Sequence, residues 1–338
     1  MTRLVAIDIG GTHARFALAE VEGARGVSLA PEVTLKTAEH ASLQSAWQAY
    51  GRIVGQRLPP VAAIAVAAPL GGDVVHFTNN AWIVRPDQIA SELGLESHII
   101  LNDFEAVAHA VAQVDGSHFL HICGPAGTLP SNGTISVIGP GTGLGVATLH
   151  RGPGGDRVCA TEGGHIGFAP TDPVEDEILQ HLRRTYARVS IERVIAGPGL
   201  AAIHSVLAQR MDEPQVPLDD AALWSLALSG DDPVASAALA RFFMVLGAAS
   251  GDLALAHGAV GVVIAGGLSQ RMGLSLIGSR FAERFRDKGR FASMMDRISV
   301  KLITHPQPGL FGAAAAYAAT LGARTPDVCV QKRVSRGR

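Results

Sequence analysis

The sequence predicts an α/β protein built as two halves, and three observations carry that prediction. First, one pattern occurs twice. An apolar run ends in Asp8-Ile9-Gly10-Gly11-Thr12 and is followed by Phe16-Ala17-Leu18-Ala19; in mid-chain Ile135-Ser136-Val137-Ile138 ends in Gly139-Pro140-Gly141-Thr142-Gly143 and is followed by Leu144-Gly145-Val146-Ala147. Each copy reads as strand, glycine turn with threonine, strand. Second, a continuous apolar run of strand length at 61–67, as expected of a strand covered on both faces, and further buried strands at 98–101 and 260–265 alternate with helical segments. Third, Asn102-Asp103 stands at a strand end, where α/β folds carry their sites. A glycine hairpin exposes backbone N–H groups and lets a bulky anion approach closely. Two such hairpins, far apart in sequence, point to two halves gripping one polyphosphate.

Taken in order, 4–7 and 15–19 read as strands flanking the first glycine turn, with 33–35 a further strand. Residues 42–54 have helical character, and 61–67 is a buried strand. Pro86 is expected to open a short helix, since proline suits the first helical turn. Strand 98–101 leads through Asn102-Asp103 into a helix over 104–114. After the second hairpin, helices are expected over 174–186, 199–209, 219–228 and 233–257. Strands 260–265 and 299–303 return to the sheet pattern, and an Ala-rich helix over 309–321 suits close packing on a sheet. Residues 322–338 lack apolar periodicity and read as a frayed tail.

Composition excludes several classes. At 338 residues the chain suits about two domains with a large core. The 47% hydrophobic content, 5% aromatic content and 39 glycines fit a soluble α/β protein. A net charge of −2 and a pI near 6.7 give no general pull toward nucleic acid or acidic lipid. Cys123, Cys159 and Cys329 are odd in number and form no metal-ligand spacing, which favours a reducing compartment. The start, MTRLVAIDIGG, breaks at Asp8 too early for a signal peptide. The uncharged stretch 253–270 is interrupted by His257 and four glycines, and reads as a helix end followed by a buried strand rather than a membrane span.

The motifs are neither a P-loop nor a dinucleotide fingerprint: no GxxxxGK[ST] occurs, and the first glycine turn leads into a strand. Asp8, at a strand end beside N–H donors, can hold Mg²⁺ through water next to phosphate oxygens; capping a turn is the alternative. Gly266-Gly267, after a buried strand, lets a flat ring lie on the backbone, or serves close strand–helix packing. Asp103 can accept a hydroxyl proton as that hydroxyl attacks a phosphoryl group, or cap the helix that follows; both hold if Asn102 caps. Glu162, His165 and Glu192 suit recognition of neighbouring hydroxyls. A metal site is the rival for Glu162 and His165, but their spacing matches no helical zinc motif; a solvated surface position is the rival for Glu192.

DIGGTHARFAL, FTNNAW, ILNDF, GPGTGLGVA, EGGHIGFAP, GPGL, IAGG, DKGRF and PGLFGAAA occur in that order. The chain thereby resembles, from Leu4 to about Leu321, the bacterial glucokinases of the hexokinase-like group. The resemblance implies a two-domain actin-like ATPase (ribonuclease H-like) fold with a cleft between domains. A small α/β domain would comprise 1–115 plus 309–322, a large one 116–308, and 323–338 a flexible tail. It implies ATP-dependent, Mg²⁺-assisted phosphorylation of glucose at the 6-hydroxyl, the entry step of glycolysis, in the cytoplasm, with neither nucleic acid nor membrane as partner and a homodimer as the assembly. Asp103 looks like the family's catalytic base. Asn79, Asn102, Glu162, His165 and Glu192 look like its glucose-binding residues. Gly10, Gly11 and Thr12 look like the first phosphate loop, with Asp8 beside the metal; Gly141, Thr142 and Gly143 look like the second; Gly266 and Gly267 look like part of the adenosine pocket. Two positions depart: His13 stands where the family often has Asn, and Gly167 where an acidic residue is common. The cysteine-rich zinc motif of the related repressor–kinase group is absent. The rivals are a kinase of mannose or fructose, and an actin-like ATPase or sugar sensor that transfers nothing.

Overall fold

Two six-stranded mixed sheets carry the fold in the computed structural model, which describes residues 1–77, 80–214 and 218–322. Each sheet lies in its own unit. One unit comprises Met1–Val114 and the segment that begins at Pro306; the other is Asp115–His305. Asn79, Cys329 and the tail 323–338 lie outside the described residues.

In the first unit, β1 (Thr2–Ile9) and β2 (His13–Glu22) form the first glycine hairpin, with β3 (Gly26–Leu29) and β4 (Val33–Lys36) both paired to β2. On the other side β1 runs parallel to β5 (Val61–Val66), and β5 to β8 (Ser97–Asn102). The period-2 alternation of β1 sends Val5, Ile7 and Ile9 to one face and Leu4 and Ala6 to the other, and both faces are buried. One face packs on α1 (Leu43–Val54), where Phe16 stacks on Tyr50 at 5.1 Å. Ser42 caps α1 in a reciprocal box with Ser45, and Gly55 ends it in the left-handed region. The other face is lined by alanines and meets α12 (Pro308–Gly322), which lies along α3 (Asp103–Gln113). Small residues make that contact possible: a Cβ on Gly312 would sit 1.7 Å from the Ala106 carbonyl oxygen.

Pro86 does not open a helix. The Gln88 N–H donates to the Arg85 carbonyl at 2.9 Å, so Pro86 sits in a turn. The short helix α2 (Ile89–Leu93) starts three residues past it, after a hairpin of β6 (Val75–His76) and β7 (Ile83–Val84).

The second unit repeats the strand order. A hairpin of β10 (Gly133–Pro140) and β11 (Leu144–Arg151) continues into β12 (Arg157–Thr161), and β10 runs parallel to β13 (Ala259–Ile264) and β13 to β14 (Ser299–Ile303). Strand β9 (Phe119–Cys123) adds an antiparallel edge beside β14. Helices α4 (Pro173–Arg183), α5 (Glu192–Ile195), α6 (Gly199–Arg210), α7 (Asp220–Ser229), α8 (Pro233–Ala256), α9 (Gly267–Leu276), α10 (Phe281–Arg286) and α11 (Ala292–Met295) supply the rest of this unit's core. Among the described residues α8 is the one helix long and apolar enough to cross a membrane, and it is mostly buried in that core. The 253–270 stretch is the end of α8 followed by β13.

A buried charge network ties α4, α8 and α10 together. Glu175 is 1% exposed; its Oε1 accepts from Arg284 at 2.8 Å and Arg241 at 3.2 Å. Its Oε2 accepts from the Thr171 N–H at 2.9 Å and hydroxyl at 2.8 Å. Asp172 pairs with Arg241 and caps α4.

Burial of His109, on α3, lowers its imidazole pKa to about 4. The unfolded chain therefore binds this proton first as pH falls. The neutral ring imposes no penalty above about pH 6.5, and stability is lost as pH drops from there toward 4, by about 3 kcal/mol for this group. His109→Gln, which cannot titrate, is expected to flatten urea-measured stability between pH 7 and 4.5. Identical slopes for both proteins would remove His109 from the acid response.

Candidate functional site

Within the first unit the sheet register fixes the site residues before any side chain is considered. Ile9 and Asn102 both pair with Val66, from opposite sides. The first glycine hairpin and Asn102-Asp103 therefore sit at the same carboxyl end of the sheet, about 10 Å apart across two strand spacings. The hairpin closes when the Gly10 N–H donates to the His13 carbonyl at 2.9 Å. His13 thus serves the turn through its backbone, a role open to other residues at this position. Asp8, one residue before the end of β1, has Arg15 at 3.5 Å and lies against the start of α12, where a Cβ on Gly309 would come within 2.8 Å of Oδ2. Burial raises the Asp8 carboxyl above the usual range, and Arg15 pulls it back down.

Asn102 does cap α3: its Oδ1 accepts from Phe104 N–H at 2.9 Å and Glu105 N–H at 3.3 Å. Asp103, half-buried, begins the helix, and its Oδ1 also accepts from Phe104 N–H at 2.8 Å. The carboxylate is held in place by the helix start at the strand end.

In the second unit, the Gly141-Thr142-Gly143 turn is braced from three sides. Gly141 N–H donates to Gly143 carbonyl at 2.8 Å, and Gly197 N–H donates to Gly141 carbonyl at 2.8 Å. Glu192 Oε2 accepts from Leu144 N–H at 2.9 Å. Glu192 is therefore half-buried against the hairpin rather than a solvated surface charge. Gly266, with φ 88°, crosses directly beneath; a Cβ there would lie 2.6 Å from the Pro140 carbonyl oxygen, so no larger residue fits. Gly267 opens α9 with open space where its Cβ would be.

Glu162 and His165 lie on a short 3₁₀ turn after β12, with Nε2 and Oε2 3.7 Å apart and side chains 58% and 69% exposed for His165 and Glu162. The turn is pressed on β11: a Cβ on Gly164 would lie 2.1 Å from the Leu144 carbonyl oxygen. Glu162, His165, Glu192 and the second turn thus share the neighbourhood of Leu144. No group of three potential metal ligands occurs among the described residues. A space of about 310 Å³ opens beside Thr142 and Glu192, bounded by His181, Tyr186 and Ala201. At Gly167 a side chain would meet open space, so the backbone accommodates the acidic residue common there.

Sequence reasoning missed Thr37 and Asn80, which hold the first turn from outside it. Thr37 is 26 positions from its partner Gly11, and no local pattern announces such a contact. Asn80, inside the quoted FTNNAW, carried a partial signal.

A family model of glucokinases matches residues 4–320. The chain is 56% identical over 315 residues to the glucokinase of Zymomonas mobilis subsp. mobilis, covering 93% of this chain and 97% of that one. A crystal structure of glucokinase from an Antarctic psychrotroph is 36% identical, with a TM-score of 0.81 over 94% of this chain and 98% of that one. A glucokinase from Balamuthia mandrillaris in complex with glucose shares the fold, with a TM-score of 0.75 at 22% identity over 94% of each chain. The repeated sheet order, each half with a glycine hairpin at its first strand, is that of the two-domain actin-like ATPases. The chain belongs to the glucokinase family of phosphotransferases.

Proposed function

We infer that this chain transfers the γ-phosphoryl group of ATP to the 6-hydroxyl of D-glucose, with Asp103 as the base. One observation carries the reading: a half-buried carboxylate, fixed beside an Asn-capped helix start, shares a sheet end with a glycine hairpin in a chain of the glucokinase family. Phosphoryl transfer asks the protein for position and charge stabilisation. With the carbonyls of Gly10, Gly11 and Thr12 engaged by Asn80 and Thr37, the groups the first turn offers a phosphate are donors: the N–H of Gly11 and Thr12 and the Thr12 hydroxyl. Gly141, Thr142 and Gly143 form the second phosphate loop, with the Gly141 and Gly143 carbonyls engaged by the N–H of Gly197 and Gly141, and Gly266 and Gly267 flank the adenosine.

Mg²⁺ arrives with ATP. A single half-buried carboxylate suits a cation that keeps its waters and phosphate ligands, not an all-protein cage, and Asp8 would hold it through water. Such a cation would draw the raised Asp8 carboxyl toward its ionised form. Glucose is held by Asn79, Asn102, Glu162, His165 and Glu192. The cytoplasm and a homodimer are the setting the family suggests.

A coupled assay over a hexose panel is expected to rank glucose first in kcat/KM; a higher value for mannose or fructose would reassign the substrate, and ATP hydrolysis without sugar as brisk as transfer would revive the ATPase. Glu162→Gln keeps shape and removes the charged acceptor. Sugar affinity is expected to fall roughly tenfold to more than a hundredfold, with ATP affinity in the absence of sugar unchanged. Weakened ATP binding instead would move Glu162 to the nucleotide.

A further inference from the structure

We propose that Thr37 is the positioning residue of the first glycine hairpin, aiming the Thr12 N–H at the phosphates of the nucleotide. This rests on the reading of that hairpin as a phosphate-binding loop. Strand β4 pairs with β2 in a register that sets Lys36 opposite His13, so the next residue, Thr37, comes level with the turn. Its N–H donates to the Thr12 carbonyl at 3.0 Å and its hydroxyl to the Gly11 carbonyl at 3.0 Å. A third brace comes from Asn80, whose Nδ2 donates to the Gly10 carbonyl at 3.4 Å.

Peptide geometry converts these bonds into an orientation. The carbonyl of one residue and the N–H of the next belong to one planar trans unit and point in opposite directions. Holding the Gly11 oxygen therefore aims the Thr12 N–H the other way, and holding the Gly10 oxygen does the same for the Gly11 N–H. Glycine permits both orientations of such a plane, so the sequence of the turn alone does not decide whether it presents donors or an oxygen to an anion. Thr37 decides it at the central peptide. The residue is 5% exposed, so little water competes for its hydroxyl. Asn80 is itself oriented, because its Oδ1 accepts from the Trp82 N–H at 2.9 Å.

The experiment compares Thr37→Val, Thr37→Ser and Thr12→Val in steady-state kinetics with MgATP and glucose varied separately, alongside thermal melts. Thr37→Val removes the hydroxyl at constant shape. Its KM for MgATP is expected to rise roughly tenfold, the loss of one well-placed hydrogen bond, while KM for glucose stays at the wild-type value. Thr37→Ser, which restores the donor, is expected to return KM for MgATP to near wild type. Wild-type KM in Thr37→Val together with a raised KM in Thr12→Val would overturn the role of Thr37 and leave the phosphate loop standing. Wild-type KM in both would overturn the role of Thr37 and take the Thr12 hydroxyl out of phosphate binding. If Thr37→Val folds poorly, Thr37→Ala takes its place with the same expectation. A lowered melting temperature in Thr37→Ala with no change in KM for MgATP would assign Thr37 to stability alone and overturn the proposal.

Discussion

Asp103→Asn is expected to lower kcat by about two to four orders of magnitude, with glucose affinity within a few-fold of wild type. The amide keeps the size of the side chain and the oxygen that accepts from the Phe104 N–H. It loses the basicity needed to take the proton of an attacking hydroxyl. The structure makes the substitution a clean test, because Asn102 supplies the helix cap from Phe104 and Glu105 and does not depend on Asp103. Helix α3 should therefore stay folded, and calorimetric titration of glucose reports on binding apart from turnover. A variant that turns over near the wild-type rate would take Asp103 out of the chemistry. A variant that melts early would show that the negative charge of Asp103 in the first turn of α3 matters to the fold.

Glu175→Ala is expected to destabilise the second unit by about 3–5 kcal/mol, the cost of leaving a buried ionic partner uncompensated. Two guanidinium groups, from Arg241 and Arg284, converge on Glu175 Oε1, and Thr171 fills Oε2. Removing the carboxylate leaves Arg284, 7% exposed, facing a cavity, while Arg241 keeps only Asp172. The measurement is urea denaturation followed by far-UV dichroism. A companion substitution sharpens it: Glu175→Leu combined with Arg284→Leu should cost less than the sum of the two single changes, because the double variant buries no unpaired charge. A loss under about 1 kcal/mol for Glu175→Ala, in the range of exposed pairs, would mean that water reaches the network.

The elements legible in the sequence are those whose physics is local. Strands β5 and β13 announced themselves because burial on both faces demands an unbroken apolar run. The Asn102 cap was legible because its partners stand two and three residues away. Strands β3, β9 and β12 passed unnoticed: they are short edge or near-edge strands with half-exposed side chains, so no run or alternation sets them off. Pro86 misled because proline suits a turn as well as a helix start, and the sequence does not weigh the one against the other.

The sequence by itself determined that this protein is an α/β chain with two glycine hairpins, an Asn-Asp pair at a strand end and the motif order of the glucokinase family. Those features follow from backbone sterics and from hydrogen bonds that reach only a few residues. Tertiary structure alone decided how the hairpins are held. Thr37 reaches Gly11 across 26 positions and Glu192 reaches Leu144 across 48, while Glu175 meets Arg284 across 109. A glycine peptide turns either way at little cost, and a carboxylate can serve solvent, a cap or a backbone amide with equal chemistry. Which of these it does depends on what the folded chain brings alongside, and that is set by sheet register and helix packing rather than by neighbours in sequence.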